Sequence, residues 1–266
     1  MDLGLTGKVA IVTGGSDGIG KAAALRIAAE GGRVAIVARR PDVLAAAADE
    51  IRRAGGGDSV LPVQADVAEA AAAGRVVKAA LDRFGAIDIL VNNAGTSMAK
   101  PFDAVSDADW RADFDLKVWS AIGLIRAAVP EMRRRGGGRI VNVTNLAGRT
   151  PGASSLPTSV ARASGIALTK ALSKDLAKDN ILVNTVCIGL IKSGQHERRF
   201  APRLSSEQGL TLDELYREEA KKRAIPLGRV GEASEAGDVI AFLVSARASY
   251  LTGVAINIDG GTSSVV

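Results

Sequence analysis

The stretch Thr13-Gly14-Gly15-Ser16-Asp17-Gly18-Ile19-Gly20 constrains this chain more than any other. The apolar run Lys8-Val9-Ala10-Ile11-Val12 before it reads as a buried strand, and Gly20 to Ala29 after it reads as a helix. Glycine permits a tight turn and lets the backbone approach a ligand closely. The N-terminus of the following helix then stabilises a negatively charged group. The spacing T-G-x-x-x-G-x-G differs from G-x-G-x-x-G, but its place between strand and helix gives it weight. A structural turn alone would need one glycine, whereas Gly14, Gly18 and Gly20 all recur here. The motif predicts a cradle for the pyrophosphate of a dinucleotide.

Further apolar runs at Arg33–Ala38, Val60–Gln64, Ile87–Asn92, Arg139–Thr144, Ile181–Val186 and Val254–Ile258 read as strands. Ala-rich stretches separate them, including a helix from Pro41 to Ala54 that Gly55-Gly56-Gly57 would end. Alternation of this kind predicts an α/β fold, a doubly wound parallel sheet of seven strands with helices on both faces. Right-handed crossovers put the ligand crevice at the carboxyl ends of the strands. Pro62 cannot donate to a ladder, so its strand is expected at a sheet edge. A length of 266 residues suits a single domain, and no linker divides it. One polar, charged insertion, from about Ile191 to Ala224, is expected to act as a substrate lid; the alternative is a solvated surface excursion.

Composition narrows the function classes. The single Cys187 excludes an intramolecular disulfide, and the single His196 excludes a multi-histidine metal site. No metal is expected. No apolar run reaches the roughly 18 residues of a membrane span, and the first residues lack the pattern of a signal peptide. A soluble, cytoplasmic protein is the expectation. The net charge of +5 has its densest cationic run at Arg133-Arg134-Arg135, read as a helix C-terminus capped by glycines and not as a nucleic-acid surface.

The second strand ends at Ala38 without the carboxylate that would hold both hydroxyls of an adenosine ribose. Arg39 and Arg40 follow, suited to a 2′-phosphate through charge-assisted bonds. The expected cofactor is therefore NADP(H), not NAD(H).

With these motifs in place the chain resembles the short-chain dehydrogenase/reductase family, of the type that includes 3-oxoacyl carrier-protein reductases. The likeness runs from about Leu5 to Gly261. It includes Asp66-Val67, Asn92-Asn93-Ala94-Gly95 and Asp259-Gly260-Gly261. The resemblance implies that Asp66 and Val67 meet the adenine, with Ser16 to Gly20 at the phosphates. It implies that Asn93, Ala94 and Gly95 line the cleft and brace the sheet. Gly189 to Ser193 would wrap the nicotinamide carboxamide, with Ile191 making a backbone contact and Ser193 standing where the family usually has threonine. Cys187-Ile188-Gly189 lacks the family's proline, so that loop is expected to be less rigid.

The same resemblance exposes a mismatch. The family uses a tyrosine as acid or base, a lysine four residues later, a serine about thirteen residues earlier and an asparagine on the preceding helix. Aligning on Leu168-Thr169-Lys170-Ala171-Leu172 places Thr158 at the tyrosine, Arg162 at the lysine and Asn145 at the serine. Phe114-Asp115-Leu116-Lys117-Val118 places Lys117 at the asparagine. All four positions are substituted. A tyrosine starts near pKa 10, an aliphatic alcohol nearer the ~15.7 of water, a gap of at most roughly 8 kcal/mol. Thr158 therefore cannot simply inherit the role, and its hydroxyl stops short of a phenol's reach. Asn145 remains a hydrogen-bond donor to a carbonyl oxygen. Arg162 can hold ribose hydroxyls but stays charged.

Three readings stay open. In the first, a working NADP(H)-dependent oxidoreductase on a small carbonyl or alcohol substrate takes its proton from Lys117, whose acidity repulsion by Arg162 would increase. The bland alternative for Lys117 is a structural cation bonded to backbone carbonyls. In the second, the chain binds cofactor without turnover, as a regulatory or scaffold protein. In the third, it is a lyase or hydratase using His196 as acid or base, although a lone lid histidine is more often solvated. Gln195, His196, Glu197, Arg198 and Arg199 hint at a polar or anionic substrate. The resemblance also implies a homotetramer or homodimer, with Ala104 to Met132 and Ser249 to Gly261 at its contacts.

Overall fold

Strands that are apolar on both faces need cover on both faces, and the chain supplies it. The computed structural model describes residues 1–207 and 209–265. Its sheet consists of β1 (Val9–Thr13), β2 (Arg33–Ala38), β3 (Val60–Gln64), β4 (Ile89–Asn92), β5 (Gly138–Asn145), β6 (Ile181–Ile188) and β7 (Ala255–Ile258). The seven strands run in the order β3-β2-β1-β4-β5-β6-β7, every neighbouring pair parallel. All five residues of β1 are buried. β3 lies at the edge, as Pro62 requires, and its burial alternates where one face meets solvent. The fourth strand starts at Ile89, two residues later than its apolar run implies. Asp88 accounts for the delay: its backbone N–H donates to Val9 O at 2.9 Å, and its Oδ2 accepts from Val9 N at 2.9 Å.

Helices α1 (Gly18–Ala29), α2 (Pro41–Gly55) and α9 (Ala233–Leu243) cover one face, through Ile27, Ile51 and Ile240 against Val12, Ile36 and Val91. Small residues bring α1 and α9 close, because a Cβ at Gly237 would meet the Ala22 backbone at 2.8 Å. Helices α3 (Ala72–Phe84), α5 (Ser120–Arg134) and α6 (Thr158–Asp175) cover the other, through Val76, Leu124, Met132 and Leu168. A short helix α4 (Asp107–Phe114) runs into α5 through a π-helical turn, Asp115–Trp119. Arginines at the C-terminal end of α5 are held in pairs, Arg133 with Asp179 at 2.7 Å and Arg135, just beyond it, with Asp88 at 3.4 Å.

The insertion folds as two helices, α7 (Gly194–Ser206) and α8 (Leu212–Lys222), with Gln208 between them outside the described residues. Phe200, Leu215, Tyr216, Ala220 and Ile225 form a small apolar core of its own. That core distinguishes it from a solvated excursion. A capping box starts α8: Thr211 Oγ1 accepts from Glu214 N, and Glu214 accepts from Thr211 N. The Gly260-Gly261 turn supports the insertion's far end, with Gly260 O accepting from Leu227 N at 3.2 Å. No helix among the described residues is long and apolar enough to cross a membrane.

Candidate active site

β1 leads outward to β2, whereas its other neighbour β4 leads the opposite way to β5. The loops after β1 and β4 therefore diverge, opening a crevice at the carboxyl ends of the strands. The crevice has a volume of about 350 Å³, within the range of small-molecule sites. It contains Gly14, Ser16, Asp17, Gly18 and Ile19, then Arg39, Arg40, Asp66 and Val67, then Asn93, Ala94 and Gly95. Asn145, Thr158, Arg162, Ile191 and Ser193 complete the set predicted from sequence. Gly20 and Lys117 do not line it.

The glycines are fixed by contact as well as by conformation. Gly14 and Gly18 have φ of +64° and +51°. A Cβ on Gly20 would collide with Gly14 O and with Asn93 Nδ2, so Gly20 acts from behind the cradle. Asn93 Nδ2 donates to Thr13 O at 2.9 Å and Gly14 O at 3.2 Å. Thr13 Oγ1 accepts from Asn93 N at 2.9 Å and Ala94 N at 3.0 Å. These bonds lace the two diverging loops together. Asp17 is the N-cap residue of α1, yet its side chain makes no cap bond there. Its Oδ1 instead accepts from Gly194 N at 3.3 Å, and Arg198 Nη1 lies 3.5 Å from its Oδ2. Gly18 and Ile19, in the first turn of α1, line the crevice, a setting that fits a phosphate. At the outer end, Arg39 Nη1 lies 3.5 Å from Asp66 Oδ2 and its side chain is 68% exposed.

The inner end is built by β5 and α6. Asn145 ends β5, and its Oδ1 is buried without a protein partner. Thr158 opens α6 and is 3% exposed; its Oγ1 accepts from Met98 N at 3.0 Å. Arg162 follows one turn later and donates from Nη1 to Val143 O at 2.7 Å, leaving Nε unpaired. Burial pushes its pKa down to about 10, opposed by the nearby Asp113. Gly95 makes room for this guanidinium, since a Cβ there would lie 2.6 Å from Arg162 Nη2.

Lys117 stands one layer behind. Its Nζ donates to Thr158 Oγ1 at 3.4 Å and forms a buried ion pair with Asp113. It is thus neither a wall residue of the crevice nor a cation bonded to backbone carbonyls. Its pKa falls to about 8, chiefly through burial; its hydrogen bond to Asp113 opposes the fall, and the charge of Arg162 adds to it. The cause differs from the sequence expectation, in which repulsion by Arg162 came first: a side chain only 1% exposed loses hydration before it feels a neighbour. Sequence reading missed Asp113, although it lies four residues before Lys117, the spacing of a helical ion pair. It also missed Thr96 and Ser97, which line the crevice after Gly95 and carry no motif of their own.

His196 is half-buried, not solvated. Its Nδ1 lies 2.9 Å from Ile191 O and its ring stacks on Phe200, while burial lowers its pKa. The chain's two tyrosines stay away: Tyr216 packs edge-on against Phe200 in the insertion core, and Tyr250 is fully exposed. Cys187 is a buried core residue beside Thr144 Oγ1 at 3.3 Å. Among the described residues no cluster of His, Cys, Asp and Glu is placed to hold a metal ion.

Comparison with known proteins places this geometry. Residues 8–203 match the family model of the short chain dehydrogenases. A 3-oxoacyl-[acyl-carrier-protein] reductase of Synechocystis sp. is 35% identical over 258 residues, 97% of each chain. Human dehydrogenase/reductase SDR family member 4 is 34% identical over 98% of this chain and 89% of its own. Among solved structures, L-sorbose reductase from Gluconobacter frateurii, complexed with NADPH and L-sorbose, superimposes with a TM-score of 0.94 at 35% identity over the whole of both chains. An NADPH-bound short chain oxidoreductase from Pseudomonas aeruginosa, containing an atypical catalytic center, gives 0.90 at 34% identity over 97% of this chain and 98% of its own. With the doubly wound sheet, the glycine cradle and these matches together, the chain belongs to the short-chain dehydrogenase/reductase family of oxidoreductases.

Proposed function

We propose that this protein is an NADP(H)-dependent reductase of a polar carbonyl compound whose proton comes from Lys117 by way of Thr158. The observation that carries the reading is the contact from Lys117 Nζ to Thr158 Oγ1, because Thr158 lines the crevice and Lys117 does not. When bound, the nicotinamide supplies the hydride. Asn145 offers its amide N–H groups to the carbonyl oxygen. As negative charge develops on that oxygen, Thr158 gives it a proton and takes one from the Lys117 ammonium. Water in the crevice then returns a proton to the amine through Thr158. Arg162 holds the inner end through its fixed guanidinium and contributes positive charge, but it is not the proton source, since it stays protonated at neutral pH.

Arg39 and Arg40 at the end of β2 favour NADP(H), and relatives of this fold in complex with NADPH support the choice. Asp66, Val67 and Ser16 to Ile19 hold the remainder of the cofactor, with Ile191 and Ser193 at the nicotinamide end. Residues 191–224 serve as the lid, tied to the cradle through Asp17. Ser97, Gln195 and His196 give the substrate end a polar lining, which suits a hydroxylated substrate, and the sorbose-bound neighbour is of that kind. The single thiol of Cys187 suits a cytoplasmic setting, where it remains reduced.

The test is the Lys117→Ala variant. NADPH oxidation across a panel of polyhydroxy ketones is expected to fall about 10²–10⁴-fold, the typical worth of general acid catalysis. NADPH affinity is expected to stay within a few-fold, and wild-type protein to bind NADPH more tightly than NADH. Undiminished turnover by the variant overturns the proton route, and tighter binding of NADH overturns the cofactor choice.

A further inference from the structure

Asp113 is wholly buried at the end of α4, and nothing in the reading above needs it. Its Oδ1 is paired with Lys117, while its Oδ2 has no protein partner. Two cations and one anion, Lys117, Arg162 and Asp113, therefore meet behind Thr158, with Lys117 and Asp113 buried and Arg162 half-buried where it also lines the crevice. A small cavity of about 20 Å³ is lined by Lys117 and Arg162, and among the described residues Asn92 Oδ1 and Arg162 Nε are also unpaired beside it. Such a charge cluster is a poor device for stability. Desolvating each ion costs several kcal/mol, and apolar residues of similar volume often serve a fold as well or better. A structural explanation would also leave the direction of the lysine unaccounted for, since its amine reaches the hydroxyl of Thr158, which lines the crevice.

We infer that Asp113 is a positioning residue for Lys117: its carboxylate holds the amine against Thr158 Oγ1 and supplies the counter-charge that lets a buried ammonium persist there. The proton donor is then a carboxylate–ammonium pair, not an isolated lysine. The inference rests on the proton route proposed above. The π-helical turn contributes, because it begins two residues after Asp113, contains Lys117 and delivers it inward while Trp119 remains 61% exposed. The groups facing Lys117 are Asp113 from α4 and Arg162 and Thr158 from α6. Asn92 of β4, Asn142 and Thr144 of β5 and Ser120 of α5 carry no charge. Asp113 supports the protonated amine, whereas burial and Arg162 oppose it, so losing the carboxylate shifts the balance toward neutral lysine.

The experiment compares wild type with Asp113→Asn and Asp113→Glu through the pH profile of kcat/KM for carbonyl reduction. It also follows the titration of Lys117 by ¹³Cε-lysine NMR, which needs no turnover. In Asp113→Asn the alkaline limb and the Lys117 titration are expected to move together to lower pH by about one unit or more, a ~10-fold change in protonation. NADPH affinity should hold within about two-fold. Asp113→Glu keeps the charge but displaces it by one methylene, so the limb is expected to hold while kcat falls several-fold. An unmoved limb and titration in Asp113→Asn overturn the inference. If that variant does not fold, an undiminished kcat in Asp113→Glu overturns it alone. Absence of turnover in the wild type would instead sink the proposed reaction, and the NMR titration would still decide the pairing.

Discussion

The inner end of the crevice shows how one buried amine is made acidic enough to be useful. An ordinary lysine holds its proton too tightly to give it up near neutrality. Lys117 is brought to about 8 because burial penalises its charged form more than Asp113 restores it. A stability effect follows with a definite sign. The folded-state pKa lies below the unfolded value, near 10.4, so between those limits the unfolded chain binds more protons. The cost of burying the ammonium is fully present below pH 8 and is relieved as pH rises. Stability is therefore expected to increase between about pH 8 and pH 10 by on the order of 3 kcal/mol at most, before other groups contribute. Denaturant unfolding of wild type and Lys117→Met across that window reads the effect as a slope present only in the wild type. Equal slopes would show that Lys117 does not titrate there.

At the scale of elements, the insertion behaves as a unit with its own small core and two short helices. Its attachment to the cradle is narrow: Asp17 receives Gly194 N and lies near Arg198, and a Cβ on Gly18 would touch Ser193 at 3.1 Å. Elements of this kind open at lower free energy than the sheet beneath them. The capping box at the start of α8 is one term that fixes it, beside its apolar core and the Arg203–Glu218 pair. Thr211→Ala is expected to cost about 1 kcal/mol locally. Amide exchange in α8 should quicken by roughly 5-fold, while exchange in β1 and β4 stays unchanged. Equal acceleration in the sheet would mean that insertion and sheet open together, against the view of the insertion as a separable lid.

For the whole molecule, the edge strand β7 is half-buried along its length and Tyr250 beside it is fully exposed. Trp119, on the other face, is also exposed. These surfaces fall at the two regions in which the family resemblance implies subunit contacts, and a symmetric homo-oligomer would cover them. Sedimentation equilibrium is expected to give two or four times the mass of one chain. A single-chain mass at micromolar concentration would leave these apolar side chains as features of a monomer.

The architecture was legible because its signals are local. Apolar runs separated by Ala-rich stretches dictated the alternation of strands and helices, Pro62 dictated an edge, and Arg39 followed a strand that lacked a terminal carboxylate. The glycine cradle was readable for the same reason, since conformational freedom is needed at Gly14 and Gly18 whatever surrounds them. The π-helical turn, the collision that forbids a side chain on Gly20 and the room that Gly95 leaves for Arg162 were decided only in three dimensions. The same holds for the chemistry. From the sequence Lys117 was a cation near another cation; folding removed its water, set Asp113 against it and brought its amine to Thr158, which lines the crevice. Desolvation depends on which residues enclose a group, and that enclosure is made by segments far apart in the chain.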